Sequence, residues 1–203
     1  MCRGHSIRTW MKWIFHSTII KHFRNQIGHG IKKSFIRQIS RSRLLHMTTM
    51  KIKRCTKDAF VVIGKEGSTL EGQGFIQRLW ADANAHFAQV KPLAKKDKDG
   101  NLVGIWGAMS DFSRSYRPWE ENFSKGLYLA GVECLDEAQP PEGWTKWNIP
   151  GYEYLCAKVE TENTFSEVLD YMQKNQIPLV GAIQDFSCPK SGKDYMLFPI
   201  RRL

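Results

Sequence analysis

One short motif occurs twice in this chain, and no other feature constrains the fold as strongly. Gly107-Ala108-Met109-Ser110-Asp111-Phe112-Ser113 and Gly181-Ala182-Ile183-Gln184-Asp185-Phe186-Ser187 agree at five of seven positions across a 74-residue offset. An apolar residue, Trp106 or Val180, precedes each glycine. Self-similarity at a fixed offset points to a repeated supersecondary unit. The flanking sequence extends the match. Ahead of the first copy, Phe75, Ile76, Leu79, Trp80, Ala83, Phe87 and Val90 recur at helical spacing. Ahead of the second, Phe165, Val168, Leu169 and Met172 do the same, and Thr164 and Glu167 have the spacing of a capping box. Strand-like stretches precede these helices at 59–64 and 152–159. Others lie at 102–109, after the Asp99-Gly100 turn, and at 127–134 and 195–200. The Gln139-Pro140-Pro141-Glu142-Gly143 stretch divides the halves, about 50–138 and 144–203.

The fold class that follows is α+β. A strand-helix-strand-strand unit is duplicated about a pseudo-twofold axis. Its antiparallel sheet is covered by two helices, and a ligand cleft lies between the halves.

Charge separates the chain into two parts. Residues 1–49 hold ten Lys or Arg and no acid, so the remaining 20 basic and 20 acidic residues all lie in 50–203. A neutral body has no electrostatic reason to hold a phosphate backbone, so nucleic acid is not expected as a partner. The basic extension reads as a disordered or targeting segment, as a surface helix, or as upstream sequence ahead of a start at Met47 or Met50. The abrupt change of composition favours the last. Five scattered cysteines, an odd count with no CxxC pair, argue against a disulfide framework and for a reduced, cytoplasmic setting. No run of 18 apolar residues suggests a membrane span. Five of the six histidines lie in the extension without zinc-finger spacing, and no metal or cofactor is expected.

Several stretches of the body carry a family resemblance. Leu79-Trp80 lies in the first helix. Tyr128-Leu129-Ala130-Gly131-Val132-Glu133 gives an aromatic-x-x-Gly-apolar-Glu strand. Pro141-Glu142-Gly143 is followed by Trp147, Ile149-Pro150-Gly151 and Tyr154, and Asp194-Tyr195-Met196-Leu197-Phe198-Pro199-Ile200 closes the chain. In their order and spacing these resemble the effector-binding domains of bacterial multidrug-sensing transcription activators and stand-alone gyrase-inhibitor-like proteins. The resemblance covers about 50–203. It implies a duplicated domain whose aromatic-lined cleft, with one acidic group, binds amphipathic and often cationic molecules. The first 49 residues show no helix-turn-helix pattern, so the stand-alone form is the expectation.

Glu133 is the foremost candidate for the site. Period-two alternation puts Leu127, Leu129, Gly131 and Glu133 on one face of their strand, with Tyr128, Ala130, Val132 and Cys134 on the other. Gly131 leaves room for a ligand or for a close backbone. A carboxylate in an apolar cleft needs a partner, which a cationic ligand can supply. The alternative is a glutamate at a strand end facing solvent or paired with a nearby lysine. Trp106, Tyr116, Trp119, Tyr154 and Tyr195 are the aromatic candidates for ligand binding, Tyr116 and Trp119 as a rim. Tyr152 alternates with Tyr154 and is a candidate for its face. Flat rings with a polar handle suit both contact area and cation binding. Trp80 reads as core. Asp111 and Asp185 read as a turn or cap used twice. Cys134 and Cys156 read as core, and no catalytic nucleophile set stands out.

The leading expectation is a stand-alone sensor or sequestering domain for a small amphipathic, possibly cationic molecule. Two alternatives remain open: a hydrolase of reactive electrophiles that uses Glu133, as some members of the resembling family do, and an inhibitory protein-interaction module.

Overall fold

The computed structural model describes residues 51–203; the basic extension and its competing readings lie outside the described residues. Eight strands form one antiparallel sheet: β1 Ile52–Lys57, β2 Phe60–Ser68, β3 Ile105–Ser110, β4 Leu127–Cys134, β5 Thr145–Ile149, β6 Tyr152–Lys158, β7 Gln184–Cys188 and β8 Lys193–Arg202. Two longer helices, α1 Phe75–Ala85 and α2 Thr164–Lys174, follow β2 and β6. The α+β architecture with a duplicated unit is as the sequence implies. Each unit, however, opens with an additional strand: β1 in the first half and β5 in the second.

These opening strands are exchanged between the halves. The order across the sheet is β1-β6-β8-β7-β3-β4-β2-β5. Thus β1 pairs with β6 of the second half, and β5 pairs with β2 of the first. Yet only Asp58 and Ala59 join β1 to β2, six places away in the sheet, and only Pro150 and Gly151 join β5 to β6. Six strand spacings in a flat sheet would be about 29 Å. Three consecutive Cα–Cα steps cover at most about 11 Å. The sheet therefore curls until its long edges nearly meet. The two crossings touch: a Cβ on Gly151 would lie 3.0 Å from the backbone nitrogen of Ala59.

An eight-stranded barrel has an interior just wide enough for side chains, so both helices lie outside. The outer face of the sheet carries Val61, Ile63, Tyr128, Ala130, Leu155 and Phe198, and these pack with Phe75 and Ile76 of α1 and with Phe165 and Val168 of α2. The inner face carries Phe60, Val62, Trp106, Leu129, Trp147, Tyr152 and Tyr154. Gly131 lets two backbones approach. It pairs with Gly64, and a Cβ there would come within 2.5 Å of the Ile63 carbonyl.

The halves meet along β3 and β7, whose ladder has three pairs: Ile105 with Ser187, Trp106 with Phe186 and Gly107 with Asp185. Beyond it the Gln184 side chain takes over. Its Oε1 accepts from the Met109 N–H at 2.8 Å, and its Nε2 donates to the Met109 carbonyl at 3.3 Å.

This register corrects the reading of the repeated acids as one device used twice. Asp111 follows β3 and organises a turn, whereas Asp185 is the second residue of β7. The 74-residue sequence match therefore does not superimpose equivalent structural positions. The second helix begins at Thr164 as expected, but Asn163, not Thr164, is its N-cap.

Candidate functional site

The inner face carries a row of rings that crosses the seam. Phe60 and Trp106 have centroids 4.5 Å apart, Trp106 and Phe186 4.7 Å, and Phe186 and Tyr195 6.2 Å. These residues come from β2, β3, β7 and β8, so both halves build one aromatic surface. A second group stands beside it: Tyr152 meets Tyr154 edge-on at 5.6 Å, and Tyr116 meets Trp147 edge-on at 6.0 Å.

Glu133 lies at the end of this surface and is 1% exposed. Burying a carboxylate is costly unless it is both paired and hydrogen-bonded. Both conditions are met. Trp106 Nε1 donates to Oε2 at 3.1 Å, and Lys57 Nζ reaches Oε1 at 3.0 Å. The same ammonium lies 4.4 Å from the Phe60 centroid and 5.6 Å from that of Trp106, within cation–π range. Glu66 repeats the arrangement nearer the surface. It accepts from Trp147 Nε1 at 2.7 Å and pairs with Arg114.

Tyr154 differs from its neighbours. It is 0% exposed, and its hydroxyl makes no hydrogen bond. Burial pushes its phenol well above the ordinary tyrosine value, so it stays an O–H donor. Burial also raises the Tyr116 and Tyr152 phenols.

Tyr116 is held over the inner face by a strained loop. Its φ is 61° and that of Arg114 is 55°, in the left-handed region. Asp111 secures this loop by accepting from the hydroxyls of Ser113 and Ser115 and from the backbone N–H groups of Ser115 and Arg117. Burial opposes the charged form of Asp111, but these donors outweigh it and hold the carboxyl far below its ordinary value.

Of the residues singled out in the sequence, Glu133, Trp106, Tyr116, Tyr154 and Tyr195 come together on the inner face. Trp119 does not. It packs in the outer core and donates from Nε1 to the Leu127 carbonyl at 2.9 Å, so it forms no rim with Tyr116. Trp80 lies on the helix side, where its indole donates to the Tyr128 hydroxyl at 3.2 Å. Sequence reasoning missed Lys57, which reads as an ordinary surface charge, and Phe60 and Phe186. The Phe186 signal was present, because the repeated motif ends in Asp-Phe-Ser. Cys55 and Cys156, on neighbouring strands and packed against the inner cluster, form a disulfide. This departs from the expectation of unpaired thiols.

No three or more His, Cys, Asp or Glu side chains converge as a metal site among the described residues. No helix among them is long and apolar enough to cross a membrane. Aromatic clusters over a buried hydrophobic surface are what a small-molecule cleft requires.

The chain has a known fold. A protein whose structure was solved bound to tetraphenylphosphonium matches with a TM-score of 0.51 at 16% identity, over 75% of this chain and 94% of that one. An integron cassette protein from the mobile metagenome of Vibrio cholerae matches with a TM-score of 0.43 at 18% identity, over 74% and 95%. A Staphylococcus aureus protein described as a bacterial transcription regulation protein matches with a TM-score of 0.47 at 14% identity, over 75% and 99%. The fold implied by the resemblance to effector-binding domains is thus the fold observed. At these identities the likeness extends to the fold alone. No family model and no curated protein matches the chain.

Proposed function

We propose that this protein binds a small amphipathic molecule on the aromatic inner face of its curled sheet, as a sensor or sequestering domain. The observation that carries this reading is the Tyr154 hydroxyl, fully buried among rings and without a hydrogen-bond partner. Leaving such a group unsatisfied costs about 1–3 kcal/mol. A ligand acceptor would remove that cost. Trp106, Phe186 and Tyr195 supply flat contact area, and Glu133 supplies charge selectivity. The tetraphenylphosphonium named with the protein of like fold combines aromatic rings with a positive charge, and this chain offers complementary groups for both.

Hydrolysis through Glu133 is less favoured. A general base must reach the proton it takes, and Glu133 is buried, with one oxygen held by Trp106 and the other paired with Lys57 unless that lysine is displaced.

The test is a titration of the protein with tetraphenylphosphonium and with uncharged triphenylphosphine oxide, whose phosphoryl oxygen can accept a hydrogen bond, followed by calorimetry and by tryptophan fluorescence. Saturable one-to-one binding that perturbs tryptophan emission and, for the acceptor-bearing probe alone, weakens in Tyr154→Phe supports the proposal. Absence of binding by every aromatic probe at solubility-limited concentration would sink it.

A further inference from the structure

A buried carboxylate is costly unless paired, and the charge at Glu133 is paired from within the chain, by Lys57. We propose that the Lys57 ammonium is a tethered occupant of a cation subsite formed by Glu133, Trp106 and Phe60, and that a ligand's cationic centre binds there by displacing it. This rests on the small-molecule reading above and adds a competitor that tunes the site for charge.

The geometry is that of a bound cation. One face of the ammonium meets a carboxylate oxygen at 3.0 Å, and two ring faces approach it at 4.4 and 5.6 Å. The carboxylate is oriented independently, because the Trp106 indole holds its other oxygen. The acceptor therefore stays in place when the lysine leaves.

The two partners differ in their freedom to move. The Glu133 side chain is 2% exposed and emerges from β4, which has a strand on either side. The Lys57 side chain is 26% exposed and belongs to the last residue of the edge strand β1. A lysine stem at such a position can carry its head into water while its methylenes stay on apolar surface. No backbone hydrogen bond need break. Direct access to Glu133 is blocked by burial, so the place that Lys57 vacates is the way in.

A tethered competitor lowers apparent affinity by the fraction of molecules in which the site is open. It penalises cationic ligands that need Glu133 and spares neutral ligands that rest on the rings alone. Lys57 thereby sets a threshold: a cation binds only if its aromatic contacts outbid the tethered amine.

The experiment compares wild-type protein with Lys57→Gln, Lys57→Met and Lys57→Gln/Glu133→Gln. Glutamine keeps a donor for Glu133 without the charge, so it guards against loss of fold in the methionine variant; thermal melts check both. The probes are tetraphenylphosphonium and the isosteric neutral tetraphenylmethane in a solubilised form. The expected result is tetraphenylphosphonium affinity raised about tenfold in Lys57→Gln, as for a plug closed nine-tenths of the time. The neutral probe should be unchanged, and the gain should vanish in the double variant. Cation affinity that is unchanged or weakened in a folded Lys57→Gln protein, while wild type still binds, overturns the displacement alone. If neither probe binds any folded variant, the small-molecule reading falls with it.

Discussion

Gln184 and Met109 are joined side chain to backbone across the seam, and this pair continues the contact between the halves where their shared ladder stops. The amide oxygen accepts from the Met109 N–H, and the amide nitrogen donates to its carbonyl and to that of Ala182. Gln184 is 1% exposed. Replacing it with leucine keeps the volume and strands both buried Met109 groups. We expect a loss of about 2–4 kcal/mol in urea unfolding, with the native circular-dichroism spectrum retained. A loss below about 0.5 kcal/mol would show that water substitutes for the amide.

Tyr154→Phe separates stability from binding. Removing an unsatisfied buried hydroxyl should raise folding stability by about 1 kcal/mol. The same change should weaken the binding of triphenylphosphine oxide, whose oxygen can accept from the hydroxyl, roughly three- to tenfold, the worth of one ordinary hydrogen bond. Melting curves and calorimetry on the same protein samples read the two effects, whose signs should be opposite.

Acid should loosen the loop that carries Tyr116. The folded-state pKa of Asp111 is depressed, so its contribution to stability is complete above its ordinary value, 3.8, and declines as pH falls below that. Asp111→Asn should therefore melt at a lower temperature than wild type at neutral pH. The gap should narrow as both are acidified below about pH 4, as read from melting temperature against pH.

The two unpaired cysteines of the described body should react at different rates. Cys134 is buried, and burial pushes its thiol up to about 11. Cys188 is partly exposed. Burial acts against its thiolate, but hydrogen bonds from Ser191 and from the Lys190 backbone outweigh this and lower its pKa. Brief alkylation of the native protein at neutral pH should label Cys188 and leave Cys134 until denaturant is added, as mapped by peptide mass spectrometry.

Much of the inner face was legible because it rests on strand periodicity. The two-residue alternation in β4 correctly sorted Leu129 and Glu133 from Tyr128 and Val132, as their separate clusters show. Helix spacing located α1 and α2, whose buried residues include Phe75, Ile76, Phe165 and Val168. Strand exchange was hidden, since β1 is an edge strand whose residues are all half-buried or exposed and give little apolar signal. Lys57 was missed for a related reason. A single residue type does not reveal that its charge is turned inward, and only the curl of the sheet brings it to Glu133. The repeated motif suggested equivalent acids because sequence identity carries no register. Ladder pairing placed one in a turn and the other in a strand.

The exchange of β1 and β5 makes each half dependent on the other for its outermost strand. A single copy of this unit, expressed by itself, would leave one sheet edge unfilled and would project a strand with nowhere of its own to lie. Two such copies could complete each other only by trading those strands, as a domain-swapped homodimer does. With both copies in one polypeptide, joined through 139–143, each exchanged strand finds its partner within the same chain.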